Sequence, residues 1–246
     1  MAVNEKYKKD EAPCAPCTTL IESMLRVSSK MLGIPIVSNV EELNGYPIVI
    51  FASNHYNSNE SKKLKEILLK KLKNSDKKTI LALEFYSDKW LEDLFNDPER
   101  NLKDEKLNEL ISSLVYEKTI RELIKVFNEI QQKYSRDKFE IKLVDITLEE
   151  KNFETREARD ARDNRILENI LGLLKTCGDN NLVVYIGKNH AVDLLIELFE
   201  LLQKSGNIDW IKPNKISVFM APPGDPNIHI DITVFSPEDL KNSMRE

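Results

Sequence analysis

The sequence predicts an α/β domain, because short, nearly all-apolar runs alternate with longer stretches of helical period and several runs end in a titratable residue. Pro47-Ile-Val-Ile-Phe-Ala52, Thr79-Ile-Leu-Ala-Leu-Glu84 and Asn181-Leu-Val-Val-Tyr-Ile-Gly187 are the clearest such runs, each short enough for a strand buried between helices. The expected architecture is a mixed central sheet with a parallel β-α-β core, a helical insertion at about residues 87–135 and a C-terminal hairpin. Residues 1–17 read as a flexible segment and 18–246 as one domain.

In chain order, Thr18 to Leu32 carries apolar residues at helical spacing and stops at Gly33. The run Pro47–Ala52 is followed by His55, and Glu60 to Leu72 repeats leucine and isoleucine at helical intervals before the second run. A right-handed crossover makes those two strands parallel, so His55 and Glu84 are expected as neighbours at one sheet edge. Ser87 to Tyr134 is helical almost throughout, too long for a simple crossover, and is expected to roof the pocket. Phe139 to Ile146 reads as a third strand ending at Asp145, followed by an amphipathic helix that stops near Cys177-Gly178. The fourth run leads into Lys188-Asn-His190 and an apolar helix from Ala191 to Leu202. Lys215–Met220 and Ile228–Val234 then read as a hairpin at one edge of the sheet.

Composition narrows the partners. Lys+Arg 36 against Asp+Glu 41 gives a net charge of -5, which argues against nucleic acid or anionic lipid. No apolar stretch is long enough to span a bilayer, and the charged N-terminus lacks the apolar core of a secretory signal, so a cytoplasmic protein, or one released without a classical signal, is expected. The three cysteines suit a reducing compartment. Cys14-Ala-Pro-Cys17 precedes a helix, but no strand precedes it as in a thioredoxin-type pair, so a redox role ranks low. The basic stretch from Lys62 to Lys78 reads as the solvated face of a crossover helix, and His229, alternating with isoleucines, reads as structural.

In an open α/β sheet, ligands bind beyond the carboxyl ends of the strands, where loops and helix N-termini converge. His55, Glu84, Asp145 and His190 stand at the ends of the four runs, and they include two of the chain's 3 histidines. Glu84 lies between Leu81-Ala-Leu83 and Phe85-Tyr86, where a carboxylate needs a partner or an unusual pKa.

Ala52-Ser-Asn-His55, Leu81-Ala-Leu-Glu84, Arg162-Asp163 leading a helix and Gly187-Lys-Asn-His190 after a strand together resemble the superfamily of erythromycin esterases, Tiki and TraB proteins and ChaN-type haem-binding proteins, over residues 46 to 235. The resemblance implies His55, Glu84, Arg162 and His190 as catalytic or ligand-binding residues. Arg159-Asp160 repeats the Arg162-Asp163 dipeptide and is an alternative to it. Ala52 and Ser53 stand where the superfamily has Gly and Glu, so the first motif lacks its acidic group.

The expected function is hydrolysis of an ester or amide bond in a small-molecule or peptide substrate. A neutral imidazole of His55 or His190, oriented by Glu84, would activate water, and Arg162 would hold a carboxylate or oxyanion. His55, Glu84 and His190 could instead hold a divalent metal, and His55 and His190 could bind haem. The alternatives are a protein that binds haem, a metal or a small molecule in this pocket without turnover, and an inactive domain kept for interaction.

Overall fold

The structure is a computed structural model that describes residues 15–54, 58–97, 103–112, 117–147, 155–205 and 215–220. It is α/β, with a six-stranded sheet between two layers of helices. The strands are β1 (Ile36–Val37), β2 (Ile48–Ser53), β3 (Thr79–Leu83), β4 (Phe139–Leu143), β5 (Asn181–Gly187) and β6 (Ile216–Phe219), in spatial order β1-β6-β2-β5-β3-β4. Every described pairing is parallel.

Side-chain alternation along the strands builds two cores. Ile48, Ile50 and Ala52 of β2 and Leu182, Val184 and Ile186 of β5 face one layer, formed by α1 (Ala15–Leu32), α6 (Arg156–Thr176) and α7 (Lys188–Ser205). Val49, Phe51, Val183 and Tyr185 face the other, formed by α2 (Ser58–Asn74), α3 (Lys89–Phe95), α4 (Glu105–Ser112) and α5 (Glu117–Gln131). Sandwiched in this way, β2 and β5 are buried at every position, as their unbroken apolar runs require. Among the described residues, no helix is long and apolar enough to cross a membrane.

Gly33 ends α1 as expected. Its φ of 67° is left-handed, and the bonds Gly33 N–H to Lys30 O (3.1 Å) and Ile34 N–H to Ser29 O (3.0 Å) close the last turn. The helix begins at Ala15, so residues 15–17, expected to be flexible, already belong to it. Cys14 lies outside the described residues.

The sheet departs from expectation in three places. β6, expected as one arm of an edge hairpin, lies inside the sheet between β1 and β2 and parallel to both; the other arm, Ile228–Val234 with His229, lies outside the described residues. β1 was not expected, since two residues between Pro35 and Ser38 cannot display a period. β5 also separates β2 from β3, so the β-α-β unit does not make their ends direct neighbours.

The described helices of the insertion form a layer of the core. Leu123, Phe127 and Ile130 of α5 pack with Leu64, Ile67 and Leu68 of α2, and Phe95 stacks edge-on against Phe85 and Phe127. It also closes the sheet edge. Asn96, which ends α3, donates from Nδ2 to Ile141 O (2.8 Å) and accepts from Ile141 N–H (2.9 Å), as a neighbouring strand would.

Candidate functional site

The strand order changes direction at β5: the chain steps outward through β3 and β4, then returns to insert β5 between β2 and β3. Such a reversal opens a crevice at the carboxyl ends of the strands. Ser53 of β2 is level with Gly187 of β5, and Leu83 of β3 with Tyr185, so the exits of β2, β3 and β5 meet.

Glu84 and His190 are brought together there, as expected of strand-end groups. Glu84 Oε2 accepts the Gly187 N–H (2.7 Å), and Glu84 Oε1 lies 3.1 Å from His190 Nδ1. The other ring nitrogen, Nε2, is 3.1 Å from Asp163 Oδ1. The Glu84 and His190 side chains are 9% and 13% exposed, whereas that of Asp163 is 43% exposed, so the histidine has one buried and one accessible partner. Burial opposes the ring's charge, but the Glu84 and Asp163 carboxylates outweigh it and push the His190 pKa up to about 10.

Arg162 is the arginine of the site. Its Nε and Nη2 donate to Asp145 Oδ1 (2.8 Å) and Oδ2 (2.6 Å) in a two-pronged pair, and Nη2 lies 3.8 Å from Glu84 Oε1. Asp145 is buried and also accepts the Ile146 N–H (2.7 Å). The alternative, Arg159, is exposed one turn earlier on α6. Neighbouring residues of one helix thus serve two partners, Arg162 the strand-end carboxylates and Asp163 the histidine.

A carboxylate that the motifs do not reveal completes the cluster. Glu60, in the first turn of α2 and 2% exposed, has Oε2 2.7 Å from Ser53 Oγ and accepts the Asn54 N–H at 3.1 and 3.0 Å. Ser53 Oγ is also 2.8 Å from Tyr185 Oη. Burial, with the charges of Glu60 and Glu84, holds the Tyr185 phenol well above its ordinary pKa. An acidic residue in a helix's first turn is commonplace, so sequence gave no signal that this one turns inward. Glu60→Gln replaces an acceptor oxygen with an amide donor facing Asn54 N–H or Ser53; a loss of about 1–3 kcal/mol in urea denaturation is expected.

His55, expected to meet Glu84 and His190, lies outside the described residues. With its two nitrogens facing carboxylates, the His190 ring is biased toward its charged form. Among the described residues, no group of three His, Cys, Asp or Glu side chains is arranged to hold a metal ion.

Compared with family models, curated proteins and solved structures, the chain matches none, so the reading of the cluster stands on its geometry.

Proposed function

We propose that the cluster is a hydrolytic centre for an ester or amide bond, with His190 moving the proton and Glu84 holding the ring. The observation that carries this reading is the asymmetry of the histidine: Nδ1 faces a buried carboxylate at 3.1 Å and Nε2 faces an accessible one at the same distance. A buried acid on one nitrogen fixes the tautomer and stabilises the charged ring, leaving the other nitrogen to exchange protons with a substrate or water. Asp163 is the partner that a substrate would displace. Once Asp163 leaves Nε2, one of the carboxylates sustaining the imidazolium is gone, and the ring comes closer to the pKa of a base that can take a proton from water.

Arg162, held by Asp145 and 3.8 Å from Glu84, keeps the acid aimed. Glu60, through Ser53, supplies a buried carboxylate at the end of β2, the strand whose motif lacks one. That substitution favours a working centre over an inactive domain retained for interaction.

The test is a panel of chromogenic esters and peptides assayed with wild type, His190→Gln, Glu84→Gln and Asp163→Asn. Activity should fall at least a hundredfold in the first two variants with the fold retained by circular dichroism, as loss of a proton-transfer group predicts. Asp163→Asn should keep activity and shift the acidic, rising limb of its pH profile to lower pH. Wild type without turnover, in a preparation carrying haem absorbance or stoichiometric metal, would instead establish the binding reading.

A further inference from the structure

The opposite edge of the sheet carries a different chemistry. Two cavities of about 350 and 210 Å³ adjoin there, sharing Pro47, Lys77 and Lys215 in their walls. The larger is lined by Lys70, Lys71, Lys77 and Lys215 and by no Asp or Glu; the smaller adds Lys175 and one acid, Asp179. In a chain of net charge -5 this is a local reversal of sign.

Helix C-termini gather at this edge, and lysine is favoured in a last helical turn. That accounts for Lys70 and Lys71 near the end of α2 and for Lys175 in the last turn of α6. It does not account for Lys77, in the turn before β3, or Lys215, immediately before β6. Both are exposed, and no carboxylate within ion-pair distance of either is found among the described residues.

Lys70 pairs with Glu41 at 2.6 Å, whereas the neighbouring Lys71 is 8% exposed and donates to the carbonyl oxygens of Leu43 and Tyr46. Burial and the charge of Lys70 lower the Lys71 pKa to about 8, as expected of a cation without an acidic partner. One buried and two exposed lysines in the walls of these adjoining cavities suit a compact anion of at least two charges. Lysine is a point-charge donor to phosphate, and the walls contain no arginine.

We propose that this groove binds a phosphate-bearing small molecule through Lys71, Lys77 and Lys215, at the sheet edge opposite the hydrolytic cluster. The larger cavity is at the lower end of the size range of small-molecule sites and admits a diphosphate or a short phosphomonoester. The site is independent of the chemistry at Glu84 and His190.

Titration calorimetry of the whole chain at low ionic strength tests this, with inorganic pyrophosphate and glycerol phosphate as separate probes and citrate as a carboxylate control. Saturable one-site binding of one phosphate probe is expected, weakening as salt is added. The tighter probe tells whether the natural ligand is an inorganic phosphate or a monoester. The double variant Lys77→Gln/Lys215→Gln, which alters only exposed side chains, should bind at least tenfold more weakly. Glu84→Gln should bind as wild type does. Pyrophosphate should also shield Lys77 and Lys215 of the wild-type chain from amine acylation, read by mass spectrometry. Absence of saturable binding, undiminished binding by the double variant, or citrate binding as tightly as phosphate would overturn the proposal.

Discussion

Arg162→Met is expected to destabilise the protein by about 3 kcal/mol, because it strips the cation from a buried carboxylate while leaving a side chain of similar length. Asp145 points both oxygens at Arg162, and its side chain is 4% exposed, so the charge left behind has little access to water. Glu84, 3.8 Å from the same guanidinium, loses a compensating charge as well. Arg162→Lys should cost less, because one ammonium can meet a carboxylate oxygen but cannot fork across two. Arg159→Ala, exposed one turn away, should fall within about 0.5 kcal/mol of wild type. Denaturant midpoints for these variants and for Arg162→Met/Asp145→Asn decide the matter. The double variant should recover part of the loss, since it removes the stranded charge. If Arg162→Met lost less than Arg159→Ala, the arginine would have no special place in the cluster.

That contrast also marks what the sequence can and cannot convey. Arg159-Asp160 and Arg162-Asp163 are the same dipeptide three residues apart, so local pattern puts both on one helix face. Only the position of α6 against the sheet decides which pair reaches the strand ends. The strands themselves were legible where burial is complete, because a run such as Leu182–Ile186 has no charged residue to suggest any other placement. The position of β6 was not, since its two parallel neighbours, β1 and β2, lie far away in sequence.

Glu84 and His190 were legible because they interrupt or follow apolar runs, and the carboxyl edge of a parallel sheet gathers such groups. Glu60 was hidden by its ordinary setting, and the charge state of His190 by its dependence on Asp163, which is supplied by another helix.

The histidine's charge makes a pH prediction of definite sign. Its folded pKa, raised to about 10, stands above the ordinary value of 6.5 expected in the unfolded chain. Below pH 6.5 both states hold the proton and the full stabilisation is present. As pH rises toward 10 the folded state holds a proton that the unfolded state has released, so stability falls. Over the whole interval the contribution is on the order of 5 kcal/mol at 1.36 kcal/mol per unit, and the part lost by pH 8 is about 2 kcal/mol.

Lys71 shifts the other way, its folded pKa lowered to about 8, so above that pH it adds a rising contribution that offsets the fall. Wild-type stability should therefore drop between pH 6.5 and 8 and flatten between 8 and 9. His190→Gln should abolish the drop and, with Lys71 intact, rise above pH 8. Urea denaturation at half-unit pH steps measures both curves. A wild-type curve that is level or climbing from pH 6.5 to 8 would mean that His190 is neutral in the folded protein, and with it would go the histidine held between two acids.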